Sequence, residues 1–432
     1  MTPLGWPGIV RLGLVQSAIG AIVMLATSLL NRVMVVEYAL PAALPAGLVA
    51  WHYAVQLSRP IWGHGSDRGR RRTPWILTGM ALLALGALVA VGALALLAAR
   101  SVAGLPVAIV AFAMIGAGVG AAGTSLLALL ATRVLPERRA AAAAITWIMM
   151  VAGIAVTAGV AGALIDPYSL QRLAIVAGGV AGGAFLLAAL AVRGVEGSAP
   201  VAEAPAPAAP LGAALRDMFA DAEACRFTAF VFLSMLAYSM QDLILEPFAG
   251  LMFGLTPGQS TQLSGVQHGG VLAGMILAGV GGSAFGGRSA ARLQRWIVGG
   301  CIGSAFALAG LALAARAGPG WPLAANIALL GFANGVFAVA AIGAMMALAS
   351  SGGVGREGIR MGVWGAAQAI AFGMGGLIGA VSVDLGRAWT GSNGASFTIV
   401  FAVEAGLFLA AAVIASRAPS QRRRPFVRTL AA

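Results

Sequence analysis

Along this chain apolar residues come in long runs, and polar residues fall in short breaks between them. About 20 apolar residues cross a bilayer core as a helix, and runs of that length recur from end to end. They predict twelve membrane spans, at roughly 9–32, 44–63, 74–99, 105–132, 141–165, 170–192, 227–250, 262–284, 294–315, 322–349, 360–382 and 397–416. One break is longer than the rest, VEGSAPVAEAPAPAAPLGAALRDMFADAEACR. Its Ala/Pro part reads as a linker, and Leu211 to Cys225 as a short surface helix. The expected fold is an all-α membrane protein. It has a six-helix bundle over 1–193, a linker over 194–226, a second six-helix bundle over 227–417 and a basic tail over 418–432.

Composition excludes a soluble reading. The chain of 432 residues is 60% hydrophobic and 9% charged, and a soluble domain of this kind would have no surface to show water. Its 61 glycines suit close helix–helix approach in lipid. A net charge of +13 would suggest nucleic acid in a soluble protein. Here the basic residues are all arginine, and most lie in alternate loops, such as Arg68 to Arg72, Arg133, Arg138 and Arg139, and in the tail. The opposite loops hold only Arg32, Arg100, Arg172, Arg316 and Arg387. That asymmetry predicts cytoplasmic termini and no nucleic-acid partner. The first run is too long, and lacks the cleavage site, to be a signal peptide. Cys225 and Cys301 are far apart, so neither a disulfide framework nor a metal motif follows.

The two halves share landmarks. Trp75 and Trp296 follow the loops after spans 2 and 8. Trp147 and Trp364 open spans 5 and 11, Asp166 and Asp384 close them, and His52 and His268 sit at similar offsets in spans 2 and 8. Recurrence at nearly constant separation predicts a parallel six-plus-six duplication, as in major facilitator transporters.

Candidate chemistry centres on FTAFVFLSMLAYSMQDLILEPFAGLMFG, Phe227 to Gly254, where Gln241 precedes Asp242 and Glu246, two acids in the far half of the membrane or at its far edge, against the plainer reading of a loop that begins at Gln241. Two acids four apart share one face of a continuous helix. At that depth they need a partner or water. Span 1, its equivalent, ends LLNRVMVVE with Asn31, Arg32 and Glu37. An ion pair of Arg32 with Asp242 or Glu246 is therefore expected as an outer gate, against the plainer reading of charges reaching headgroups. His52 and His268 are candidate ligands for the magnesium of a chlorin, although a membrane histidine more often bonds a neighbouring helix. His268 is the better candidate, because Gly269 and Gly270 beside it leave room for something flat.

Other motifs are bland. GAGVGAAG lies inside span 4 with no strand before it, so it reads as helix packing. Asp217 and Asp221 read as a solvated helix face. No catalytic constellation and no metal set can be placed, so the chain is not expected to be an enzyme.

GHGSDRGRRR, Gly63 to Arg72, resembles the major facilitator signature loop: Gly63, Asp67 and Arg68 match, Arg71 falls in the basic run, and Gly69 comes one place early. With LNRVMVVEYALPA (Leu30 to Ala42) and FTAFVFLSMLAYSMQDLILEPFAG (Phe227 to Gly250), the chain resembles the PucC family, the bacteriochlorophyll-associated branch of the major facilitator superfamily. The resemblance runs from span 1 through span 12. It implies a factor that assembles light-harvesting complexes, or handles bacteriochlorophyll or its precursor, in the inner or intracytoplasmic membrane of a photosynthetic bacterium. Its implied partners are antenna polypeptides, pigment-biosynthesis enzymes and the bilayer. The family motifs carry Asn31, Arg32, Glu37, Gln241, Asp242, Glu246 and Pro247 onto this chain, but not the histidines. Although some members bear a synthase label, synthase chemistry is not implied. The alternative is a proton-coupled transporter of a small hydrophobic solute, with Asp242 or Glu246 as proton carrier. Spans 4, 5, 10 and 11 offer it few amides, Asn326, Asn334 and Gln368.

Overall fold

The computed structural model describes residues 4–59, 62, 71–196, 220–284, 290–351 and 357–417. Among these, every regular element is helical. The first rod, α1 (Trp6–Glu37), is α-helical to Met24 and π-helical over Leu25–Leu30 and Val33–Glu37. Then come α2 (Ala43–Val55), α3 (Thr73–Ala98), α4 (Gly104–Arg133), α5 (Pro136–Ile165) and α6 (Leu170–Val192). The second half holds α7 (Ala222–Asp242), α8 (Leu245–Phe253), α9 (Pro257–Ala284), α10 (Ala290–Ala317), α11 (Leu323–Ser351), α12 (Glu357–Thr390) and α13 (Asn393–Ser416).

Among the described residues ten helices, α7 and α8 counted as one, are long and apolar enough to cross a membrane, which makes this a multi-pass membrane protein. The expected spans outside that set have local reasons. Only 13 residues of α2 are helical without a break, and α9 opens PGQSTQLSGVQHGG, too polar to qualify. Several helices start earlier than their apolar runs, and two show why. Pro136 opens α5, since a proline with no N–H suits a first turn. Asp221 caps α7, accepting from the Glu223 and Ala224 amides at 3.0 and 3.3 Å. Asp221 is therefore a helix cap and not a solvated face. Cys225, expected in a surface helix, lies inside α7, and Asp217 lies outside the described residues.

The packing repeats. In the first half α1 lies on α5 and α6, α3 on α4 and α6, and α2 on α4. In the second α7 lies on α12 and α13, α10 on α11 and α13, and α9 on α11. Between the halves α5 packs against α9 and α2 against α12, two pairs that exchange under the same repeat. The helix starts match too. Arg11 of α1 donates to the Ala191 carbonyl at the end of α6 (2.9 Å). Arg226 of α7 donates to the Arg417 carbonyl after α13 (3.0 Å). Cations at helix C-termini satisfy orphan carbonyls and the helix dipole. We call this the near end, and the end carrying Glu37 and Asp166 the far end.

Glycine sets the closest approaches. Gly270 and Gly274 of α9 face the carbonyls of Ala328 and Phe332, while Gly331 and Gly335 of α11 face those of Gln267 and Val271. Each helix thus presents glycines four apart to the other's backbone. Gly79 of α3 and Gly118 of α4 meet in the same way, so GAGVGAAG serves packing, as expected.

Candidate functional site

The far-end cluster begins with a break. Pro247 has no N–H to give the Leu243 carbonyl four residues back, and the rod is interrupted at Leu243–Ile244. Asp242 is the last residue of α7 and Glu246 lies in the first turn of α8. The expectation that they share one face of a continuous helix fails for that reason. The Leu243 carbonyl left free is taken by α1: Asn31 Nδ2 donates to it at 2.7 Å.

Arg32 makes the second crossing. Buried at 2% exposure, it pairs with Glu37, which is 30% exposed. It also donates to Ser260 Oγ at 3.0 Å and to the Leu255 carbonyl at 2.6 Å, so α1 is tied to the start of α9. The ion pair expected with Asp242 or Glu246 is not the one formed. Glu37, one turn on, reaches the guanidinium, and Glu246 instead accepts from Thr261 Oγ1 at 3.3 Å.

Two acids noticed as repeat landmarks do matching work. Asp166 at the end of α5 accepts from the Gly258 amide (3.1 Å) and the Thr256 hydroxyl, at the start of α9. Asp384 in α12 accepts from the Ala42 and Ala43 amides (3.2 and 2.8 Å), at the start of α2. Each half caps a helix of the other, with a carboxylate where unpaired amides and a positive dipole end favour one. Arg172 donates to the Asp166 carbonyl, and Arg387 stands 3.9 Å from Asp384. Tyr38 and Tyr168 share a 3.0 Å hydroxyl contact, and burial, with that bond, pushes the Tyr168 phenol above its ordinary range. A cleft of about 540 Å³ lies beside them, lined by Val36, Glu37, Asp166, Tyr168, Gly250 and Thr256 among others. Each cap should contribute about 1 kcal/mol. Asp166→Ala and Asp384→Ala should therefore each lower thermal stability in detergent, and the double variant should lower it by their sum. A double variant that melts like the parent would show that the caps do not hold the halves.

Deeper in, the polar groups are orphaned. Gln241, fully buried, has no partner for either amide atom, and the half-buried Asp242 has none for Oδ1. Glu404 of α13 has both carboxyl oxygens buried and unpartnered among the described residues. Glu404 is not among the residues expected from the sequence, although a single acid inside FTIVFAVEAGLFLAAA is the same signal as Asp242.

The two histidines differ. His52 Nε2 lies 2.8 Å from Gln56 Nε2 in a buried site. That amide nitrogen only donates, so Nε2 of His52 is engaged. His268 Nδ1 lies 2.9 Å from the Ser264 carbonyl. A carbonyl only accepts, so the neutral ring carries its proton on Nδ1 and keeps a lone pair on Nε2. Gly265 of the same face packs against Gly159 of α5, which puts His268, three residues on, along the α5–α9 seam. Room for a flat ligand exists at Gly269, which has open space beside it. It does not exist at Gly270, where an added Cβ would stand 2.5 Å from the Ala328 carbonyl. Of the signature loop, Gly63, Asp67 and Arg68 lie outside the described residues, and Arg71 is exposed.

A family model described as PUCC protein matches residues 29–422. Among similar proteins, one from Rhodobacter capsulatus named "Bacteriochlorophyll synthase 44.5 kDa chain" is 50% identical over 431 residues, 99% of each chain. A "Protein PucC" from Cereibacter sphaeroides is 30% identical, over 94% of this chain and 91% of its own. Two solved structures share the fold. A bacterial homologue of the human lysosomal transporter Spinster, inward-facing and unoccupied, gives a TM-score of 0.64 at 14% identity, covering 95% of this chain and 94% of its own. A mutant of the peptide transporter POT gives 0.67 at 15% identity, covering 96% and 95%. The fold is therefore that of the major facilitator transporters. One expectation is overturned. The sequence offers no catalytic constellation and predicts no enzyme, yet a half-identical relative of full length bears an enzyme's name.

Proposed function

This chain belongs to the PUCC protein family, and from that premise we propose that it is a membrane assembly factor for light-harvesting complexes. It binds bacteriochlorophyll or a precursor and delivers it to antenna polypeptides, which are themselves membrane helices. Its place is the inner or intracytoplasmic membrane of a photosynthetic bacterium, alongside pigment-biosynthesis enzymes. It crosses twelve times with both termini cytoplasmic, as bundles over 1–193 and 227–417 joined by the linker 194–226. Gly63, Asp67, Arg68 and Arg71 form its cytoplasmic signature loop. Asn31, Arg32, Glu37, Gln241, Asp242 and Glu246 form its far-end gate.

The observation that carries the pigment reading is His268. Its Nδ1–H is spent on Ser264, its Nε2 keeps a lone pair, and Gly269 beside it is open. A chlorin needs such a nitrogen for the fifth position of its magnesium and such a gap for its ring. His52, closed in by Gln56, is set aside as a ligand. The fold neighbours are transporters, and the buried acids suit a proton-coupled carrier, so solute transport is the second reading.

The test is an absorption spectrum of the protein purified in mild detergent from its pigmented membrane, with His268→Ala and His52→Ala beside it. Stoichiometric chlorin absorption should be present, lost in His268→Ala and kept in His52→Ala. Pigment retained in both removes His268 as the ligand. A colourless protein on which antenna assembly still depends would make it a polypeptide chaperone. A colourless protein needed equally in non-photosynthetic growth would favour the transporter.

A further inference from the structure

Glu404 stands out among the described polar groups of the membrane interior. It is 0% exposed, both carboxyl oxygens lack a hydrogen-bond partner, and it sits at the middle of α13. On that helix face it lies between Phe401 and Phe408. Phe401 packs 5.0 Å from Phe248 of α8, and Phe408 packs 5.6 Å from Phe337 of α11. An ionised carboxylate in an aromatic core with no donor is costly, and a buried acid there becomes neutral instead.

The neighbouring charges do not supply a counter-ion. From α7 Asp242 is within electrostatic range, and it carries the same sign. The α8 acid, Glu246, is bonded to Thr261. On α10 and α12 the described titratable groups are Cys301 and, toward the helix ends, Arg295, Arg316, Asp384 and Arg387. The single cation bordering α13 itself, Arg417, closes the helix at the near end. Two amides complete the setting. Gln241, beside Asp242, is fully buried with both polar atoms unpartnered. Gln267 of α9 is 3% exposed and turned toward Asp242, with Nε2 unpartnered. Four polar side chains from three helices thus meet at one place: Gln267 faces Asp242, and neither Gln241 nor Glu404 has a partner.

We propose that Glu404 and Asp242 form a proton-binding site inside the second half, with Glu404 holding the proton while it is packed between Phe401 and Phe408. The carboxylate of Glu404 takes up one proton and becomes the neutral acid. Releasing it would leave two like charges facing across α7 and α13, which only entry of water or a cation relieves. Proton loss is thereby tied to loosening of the contact between α7–α8 and α13. The inference does not depend on pigment binding.

Infrared difference spectroscopy of the full chain in lipid tests it, by following the carbonyl stretch of protonated carboxyls as the pH rises, with the deuterium shift as identification. A protonated-carboxyl band should be present at neutral pH in the parent and missing in Glu404→Gln, which mimics the protonated form and should fold. In Asp242→Asn the neighbouring charge is gone, so the same band should titrate away roughly one pH unit lower. A band untouched by Glu404→Gln overturns the proton site. A band lost in Glu404→Gln but indifferent to Asp242→Asn overturns the pairing. Should Glu404→Gln fail to accumulate, the parent alone decides, because no protonated band at neutral pH overturns the site.

Discussion

Gly331→Val and Gly335→Leu are expected to leave no stably folded protein in detergent. A Cβ at either position would run into a backbone carbonyl of α9, Gln267 or Val271, and a backbone cannot swing aside as a side chain can. The partner glycines, Gly270 and Gly274, meet α11 in the same way, so α9 cannot retreat without opening the whole seam. Overpacking a filled interior costs about 3 kcal/mol, and here the backbone contacts on both sides add to it. Thermal unfolding and size-exclusion profiles check this, with Gly182→Ala as control. Gly182 has open space beside it, and alanine there should gain about 1 kcal/mol of helix preference. If Gly335→Leu melts like Gly182→Ala, the two helices do not meet as described.

Arg32→Ala is the second large loss. The guanidinium gathers the Glu37 carboxylate, the Ser260 hydroxyl and the Leu255 carbonyl into one buried knot between α1 and α9. Removing one member of a buried pair costs about 3 kcal/mol or more. Glu37 is partly exposed, so rehydration recovers some of this, and about 2 kcal/mol is expected. A double-mutant cycle identifies the partner. Arg32→Ala with Glu37→Gln should be less than additive by about 1 kcal/mol, while Arg32→Ala with Asp242→Asn should add within about 0.5 kcal/mol. Coupling to Asp242 and none to Glu37 would restore the pairing expected from the sequence.

These two sites show what could be read in advance. Apolar runs and alternating arginines suffice for a polytopic helical chain, and paired landmarks such as Asp166 and Asp384 suffice for the duplication. Pattern does not say what a landmark touches. Asp166 and Asp384 were markers of register, and only their neighbours make them caps. Equivalence in the repeat points Arg32 toward Asp242 and Glu246, whereas local chain geometry brings Glu37 closer. Asp242 and Glu246 are four apart in sequence, but the break that Pro247 imposes falls between them, so they do not share one helix face. Glu404 was legible by the rule already in use. No proline and no cluster of amides marks its span.

The exchanged caps have one more meaning. Asp166 reaches the start of α9 and Asp384 the start of α2, so each half gives the other the bond it receives. That reciprocity is the hallmark of an isologous contact, such as joins two identical subunits about a two-fold axis. The molecule is in this sense a dimer written into one polypeptide. The connecting segment then supplies high effective concentration, and recognition comes from the surfaces themselves. A pair of surfaces that recognises itself can also be separated and re-formed as a unit, which gives two rigid bodies a ready axis on which to rock.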